Sequence, residues 1–164
     1  MTSREQEFSQ LVKDHQGLIL KVSRLYTQTR EDEEDLFQEI VLQLWRSYGT
    51  FRGQSKITTW MYRIALNTAI TIFRKKTRIP QTNELGENHY DTLLNDDGEK
   101  NQQINLLYQV IKKLPDIERA IVTMYLDDLP YRDIAGNLGI SEVNARVKMN
   151  RLKKTLKELM EDHA

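Results

Sequence analysis

Apolar residues in this chain recur at spacings of three and four, and nowhere alternate with polar ones over the length of a strand. That period predicts an all-α protein built from helices that each bury one stripe. Phe8, Leu11, Val12, Leu18, Ile19, Val22, Leu25 and Tyr26 predict a helix over 8–30, with Gly17 a weak point inside it. Leu36, Phe37, Ile40, Val41, Leu44, Trp45 and Tyr48 predict a second over 34–48. After the loop "GTFRGQSK", the segment "ITTWMYRIALNTAITIFRKK" predicts a third, capped by Thr58 or Thr59 and running to about Lys76.

Pro80 ends that unit, and "PQTNELGENHYDTLLNDDGEKNQQ", residues 80–103, is polar, acidic and without period. It reads as a flexible linker. The helical period resumes at Ile104. Two small helical domains, 1–79 and 104–164, are therefore expected, each with a modest core. Among the 164 residues there is no cysteine, which excludes disulfides and thiolate metal sites. No apolar run reaches membrane-spanning length, and "MTSREQEFSQ" does not resemble a signal peptide, so a cytoplasmic protein without membrane insertion is expected.

The formal net charge is zero, from 24 basic and 24 acidic residues, but the charges are segregated. From Ile40 to Asn83 there are eight basic residues (Arg46, Arg52, Lys56, Arg63, Arg74, Lys75, Lys76 and Arg78) and no acid. Acidic stretches lie on both sides of it. Segregated blocks predict separate surfaces for separate partners.

The C-terminal stretch "YRDIAGNLGISEVNARVKMNRL" has the layout of a helix-turn-helix. Ile134, Ala135 and Leu138 give the first helix an inward face, Gly139 supplies the turn, and Ser141 caps the second helix. In that second helix Ala145, Met149, Leu152, Leu156 and Leu159 form one stripe. Asn144, Arg146, Lys148, Asn150, Arg151, Lys153 and Lys154 lie elsewhere on its surface. Amides suit base edges and cations suit phosphates.

In the central helix Met61, Tyr62, Ala65, Leu66, Ala69, Ile72 and Phe73 fall on one side. The other side carries Trp60, Arg63, Asn67, Thr71 and Arg74. An aromatic among cations suits unstacked bases, which need a flat surface and a charged track for the backbone. The loop before it offers Arg52, Gln54 and Ser55 as hydrogen-bonding groups and Gly53 for close approach, fit for an extruded base.

On "EDLFQEIVLQLWRSYGTFRGQSKITTWMYRIALNTAITIFRKK" and "LPDIERAIVTMYLDDLPYRDIAGNLGISEVNARVKMNRLKK" the chain resembles the extracytoplasmic-function (ECF) sigma factors, small sigma subunits of bacterial RNA polymerase. The resemblance implies a protein that binds core polymerase, directs it to a promoter and melts the minus-ten region. It places Asp35, Gln38, Glu39 and Leu42 on a coiled coil of the largest catalytic subunit, and implies the flap of the second-largest as a further partner. It assigns Phe51, Arg52, Gly53, Gln54, Ser55, Lys56, Trp60, Arg63, Asn67, Thr71 and Arg74 to the minus-ten element, as duplex and as non-template single strand. Ser141, Glu142, Asn144, Arg146, Lys148 and Arg151 fall to the minus-thirty-five element. Many members carry a small residue and then a β-branched pair early in that last helix; this chain reads "EVNARV", which leaves its base-reading register open. The acidic linker resembles the connector that threads toward the RNA exit path. An anti-sigma protein holds many members inactive, and the sequence is silent on one here.

The chief rival is a stand-alone helix-turn-helix regulator with an N-terminal helical regulatory domain. Such a regulator normally dimerises on a symmetric operator. No dimer seam is visible here, and a free monomer is expected. A sigma-like adaptor that binds polymerase without melting DNA is a further alternative. An enzyme is not expected: His15, His89 and His163 are isolated, and no phosphate loop, metal-ligand cluster, cofactor motif or nucleophile–base pair is present.

Overall fold

A computed structural model of the chain describes residues 1–78 and 99–163. Among those residues there are eight α-helices and no strand, as the period predicts. They are α1 (Ser3–Asp14), α2 (Gln16–Leu25), α3 (Arg30–Tyr48), α4 (Ile57–Arg78), α5 (Glu99–Lys112), α6 (Asp116–Leu126), α7 (Tyr131–Leu138) and α8 (Glu142–Asp162). Helices α1–α4 make one compact unit and α5–α8 another. The expected linker lies outside the described residues as far as position 98. Its last five positions, 99–103, are corrected to helix, since α5 begins at Glu99 rather than Ile104.

The single helix expected over 8–30 is two. Thr2 opens α1 with a capping box: its Oγ1 accepts from the Glu5 N–H at 3.1 Å, and Glu5 Oε2 accepts from the Thr2 N–H at 3.2 Å. At His15 the backbone turns to φ −119°, ψ 24°, which closes α1 and begins α2. Gly17 lies just past that break. The kink lets α1 reach the end of α3, where Phe8 meets Trp45 and Tyr48 at ring-centroid distances of 5.1 and 5.3 Å. The Arg4 guanidinium lies over the same Trp45 ring at 5.2 Å.

Helix α4 starts at Ile57, so the expected caps are corrected too. Thr58 and Thr59 lie inside the first turn, Thr59 is buried, and the Lys56 carbonyl accepts the Trp60 N–H at 3.1 Å. The α4 stripe Met61, Tyr62, Ala65, Leu66 and Ala69 is sealed, with α2 packed against α4. Ile70 joins it, while Ile72 and Phe73 are only half-buried. Two ion pairs clamp this unit. Arg24 Nε meets Glu33 Oε1 at 2.8 Å between α2 and α3, and Lys76 Nζ meets Asp32 Oδ1 at 2.7 Å between α4 and α3. The acidic opening of α3 is therefore partly spent inside its own unit. It is not wholly a separate surface.

In the second unit α8 packs on α5, α6 and α7. Val110, Ile111, Ala120, Ile121, Val122, Met124, Ile134, Ala145 and Met149 form the core. Arg119 is buried within it. Its Nη2 donates to the carbonyls of Lys112 at 2.8 Å and Leu114 at 3.0 Å, closing the C-terminal end of α5 with a charge that favours such an end. The α6–α7 turn is a Schellman motif: Asp128 adopts φ 63°, its N–H reaches the Tyr125 carbonyl, and the Leu129 N–H reaches that of Met124. Among the described residues no buried side-chain nitrogen or oxygen lacks a partner.

Truncating Arg119 to alanine removes the fork and leaves two carbonyls unsatisfied, so the second unit should lose about 3 kcal/mol. Asp128→Gly should instead stabilise it by about 1 kcal/mol, because glycine adopts positive φ without a Cβ clash. Urea denaturation of both variants checks the pair of opposite signs.

Candidate nucleic-acid and polymerase interfaces

Burial of one α4 stripe turns Arg63, Asn67, Thr71 and Arg74 to solvent, as the helical period predicts. The Thr71 hydroxyl donates to the Asn67 backbone carbonyl at 2.7 Å, and Asn67 itself is exposed. Helix α4 has no acid in its first turn and Lys75, Lys76 and Arg78 in its last, so its exposed side is cationic along its length.

Trp60 departs from the expectation. The period assigns it to the open basic face, but the structure half-buries it against Phe51, with ring centroids 5.1 Å apart and planes at 40°. The signal lay in Phe51 itself, an aromatic six residues before the helix proper. That contact ties the loop to α4 and sets the loop's path. Gly53 sits at φ 74° with open space where a Cβ would be, so glycine is required there by backbone conformation and not by crowding. The Arg52 Nη1 donates to the Gly49 carbonyl at 3.2 Å, and the Ser55 hydroxyl to the Lys56 carbonyl at 3.2 Å. Arg52, Gly53, Gln54 and Lys56 are exposed, and Ser55 is half-buried. The loop and α4 thus present a continuous, acid-free surface with an aromatic pair at their junction.

On α3, Leu36, Ile40 and Leu44 point inward, which turns Asp35, Gln38 and Leu42 outward. Leu42 is 40% exposed among polar neighbours. Glu39, expected on the same face, is half-buried at its edge and accepts from Gln43 Nε2 at 3.0 Å.

In the second unit the helix-turn-helix is built as its residues predict. Gly139 closes α7 in the left-handed region, φ 69°, with its N–H on the Ala135 carbonyl. Ser141 caps α8, its Oγ accepting from the Asn144 N–H at 3.0 Å, so this hydroxyl is committed to the fold. Ile134 and Ala135 are buried, Leu138 half-buried. Glu142, Asn144, Arg146 and Arg151 are exposed and Lys148 half-buried. Two α8 cations lean on a pair of stacked tyrosines whose centroids are 6.0 Å apart: Arg146 over Tyr131 at 5.1 Å and Lys153 over Tyr125 at 4.9 Å. A side-chain hydrogen bond with Tyr125 raises the Lys153 pKa above the ordinary lysine value, against a smaller lowering from desolvation. Sequence reasoning missed this tyrosine rung, because Tyr125 and Tyr131 come together only across the α6–α7 turn.

Residues 11–79 match the sigma-70 region 2 family and residues 104–156 the sigma-70 region 4 family. The chain is 33% identical over 140 residues to the ECF RNA polymerase sigma-E factor of Haemophilus influenzae, across 78% of this chain and 74% of that one. Its fold is similar to the sigma factor RpoE of Bartonella quintana, crystallised with the anti-sigma factor NepR: TM-score 0.71, 17% identity, 95% of this chain and 98% of that one. It is also similar to CnrH in complex with the cytosolic domain of CnrY: TM-score 0.70, 17% identity, 98% of this chain and 91% of that one. The chain belongs to the ECF sigma factors, the subunits that direct RNA polymerase to promoters. Among the described residues no helix is long and apolar enough to cross a membrane.

Because Trp60 is half-buried on Phe51, Trp60→Ala should cost the first unit about 2 kcal/mol, and Trp60→Phe about half of that. Asn67→Ala should stay within about 0.5 kcal/mol of wild type. Equilibrium urea curves on the three variants distinguish a shared loop–helix contact from two open surface residues.

Proposed function

We propose that this sigma factor melts promoters with the exposed side of α4 and the loop before it. The observation that carries this is the division of α4 into a sealed apolar stripe and a cationic, acid-free face carrying Arg63, Asn67, Thr71 and Arg74. In this scheme Arg63 and Arg74 hold phosphates at the fork, and Asn67 and Thr71 meet base edges in the upstream part of the minus-ten element. Phe51, Arg52, Gly53, Gln54, Ser55 and Lys56 form the receptacle for a base taken out of the stack. The Phe51–Trp60 pair supplies the adjoining apolar surface and holds the loop on the helix. The outward side of α3, with Asp35, Gln38, Leu42 and the edge residue Glu39, docks on core polymerase. Helix α8 reads the upstream element in the major groove, with Glu142, Asn144, Arg146, Lys148 and Arg151 facing DNA and Ser141 fixing the helix start.

The protein then acts without catalysis or cofactor, in the cytoplasm, with residues 1–79 and a C-terminal domain extended back to Glu99 engaging separate promoter elements. One structural neighbour, the Bartonella quintana RpoE, was solved with an anti-sigma factor, which supports an inhibitor of that class for this chain. A stand-alone repressor is disfavoured because it leaves the match to region 2, and the cationic face of α4, without a task.

Run-off transcription with core polymerase on a pool of upstream genomic fragments tests the reading. Discrete transcripts absent with core alone support it; none, with tight binding of the chain alone to palindromic DNA, would replace it by the repressor. Leu42→Asp places a charge at the centre of the proposed docking face and should weaken core binding at least about tenfold, the equivalent of 1.4 kcal/mol. Thermal unfolding of the free chain should be unchanged by that substitution, since Leu42 is already exposed.

A further inference from the structure

Helix α8 is oriented by burial of Ala145, Met149 and Leu152. Val143 and Val147 lie two residues before and two after Ala145, each about 200° round the helix from it. Both therefore point away from the core, and they are 67% and 41% exposed. Asn150 and Lys154 continue the same outward line. A single surface valine needs no explanation. Here two are stacked one turn apart at the centre of the face opposite the core. Valine is also a weak helix former, so helix propensity does not account for them.

The surroundings of the pair are charged and ordered. On one flank are Arg146 and Lys153, held back on the tyrosine rung, with the Arg146 Nη2 also 3.5 Å from Glu142 Oε1. On the other flank are Asn144, Lys148 and Arg151. Over the first two turns the centre of the face is thus apolar, with cations on both margins. A major groove has the complementary layout: phosphates along its walls and base edges on its floor, where the one apolar group is the C5-methyl of thymine. Arg146, drawn toward Tyr131, leaves the centre to the valines.

We propose that Val143 and Val147 are specificity-determining residues that read thymine C5-methyl groups in the upstream promoter element. This rests on the reading of α8 as the helix in the major groove, and it adds residues that the polar and cationic candidates did not include. It requires that the element contain thymine on at least one strand beneath these residues.

The test uses the holoenzyme, this chain assembled with core polymerase, on a promoter taken from the run-off pool. Each thymine of the upstream element is replaced in turn by deoxyuridine, which removes the methyl and keeps the pairing. Wild-type holoenzyme should bind on the order of fourfold more weakly at one or two positions, the effect of one buried methyl. Val143→Ala or Val147→Ala should make thymine and uracil equivalent at its own position while leaving the other unchanged. Alanine favours helix more than valine does, so both variants should keep the wild-type melting temperature. Equal binding of thymine and uracil throughout would overturn the proposal, as would a thymine preference that survives in both variants. An upstream element with no thymine on either strand would also overturn it. Holoenzyme binding indifferent to scrambling of the whole upstream element would sink the parent assignment of α8 as well.

Discussion

Met61, Tyr62, Ala65 and Ala69 have no exposed surface, and that burial sets the rotation of α4 about its axis. Once this stripe is sealed, the 3.6-residue period leaves no choice about what faces outward: Arg63, Asn67, Thr71 and Arg74. The rest of the first unit supports that orientation. Helix α2 covers the stripe, Tyr26 meets Phe73 edge-on at 6.0 Å, and Lys76 is drawn to Asp32 at the far end. The Phe51–Trp60 contact then carries the orientation into the preceding loop. A rotation of α4 by one residue would bury a cation and undo the surface on which the proposed melting depends.

The second unit reaches a comparable result by different means. Its reading helix is positioned at its start by the Gly139 turn and the Ser141 cap, and along its length by Ala145, Met149 and Leu152. Arg119 closes the end of α5, on which α8 also packs, so a buried cation far from any proposed DNA contact helps hold the face of α8. The cations of α8 are in turn steadied by Tyr125 and Tyr131. Aromatic support of this kind restricts long side chains before any ligand arrives, which lowers the entropic cost of using them.

Much of this was legible in the residues. The all-α class, the exposed side of α4 and the Gly139–Ser141 turn follow from period and capping chemistry, which are local. What was not legible depends on contacts between segments. Trp60 fits an open basic face by its wheel position, but its partner Phe51 lies nine residues back in a loop, where no period applies. The break at His15 escaped because Leu18, Ile19 and Val22 continue the apolar spacing across it. The acidic run at α3 looked like a single external surface, yet Glu33 is turned inward to Arg24 and Asp32 pairs with Lys76. Helix α5 began five residues before the apolar pattern because its first turn, "EKNQQ", has only polar residues to show. Val143 and Val147 fall outside the apolar stripe of their helix, and their exposure gains meaning only beside the cations that flank them.

The most direct test of the account is permanganate reactivity of thymines in the minus-ten region, measured for holoenzyme on a promoter it transcribes. Arg63→Ala, Asn67→Ala and Arg74→Ala combined should leave binding to core polymerase intact while abolishing the reactive, unpaired thymines seen with wild type. Wild-type reactivity in the triple variant would show that the exposed face of α4 does not open the duplex, and the central claim would be wrong.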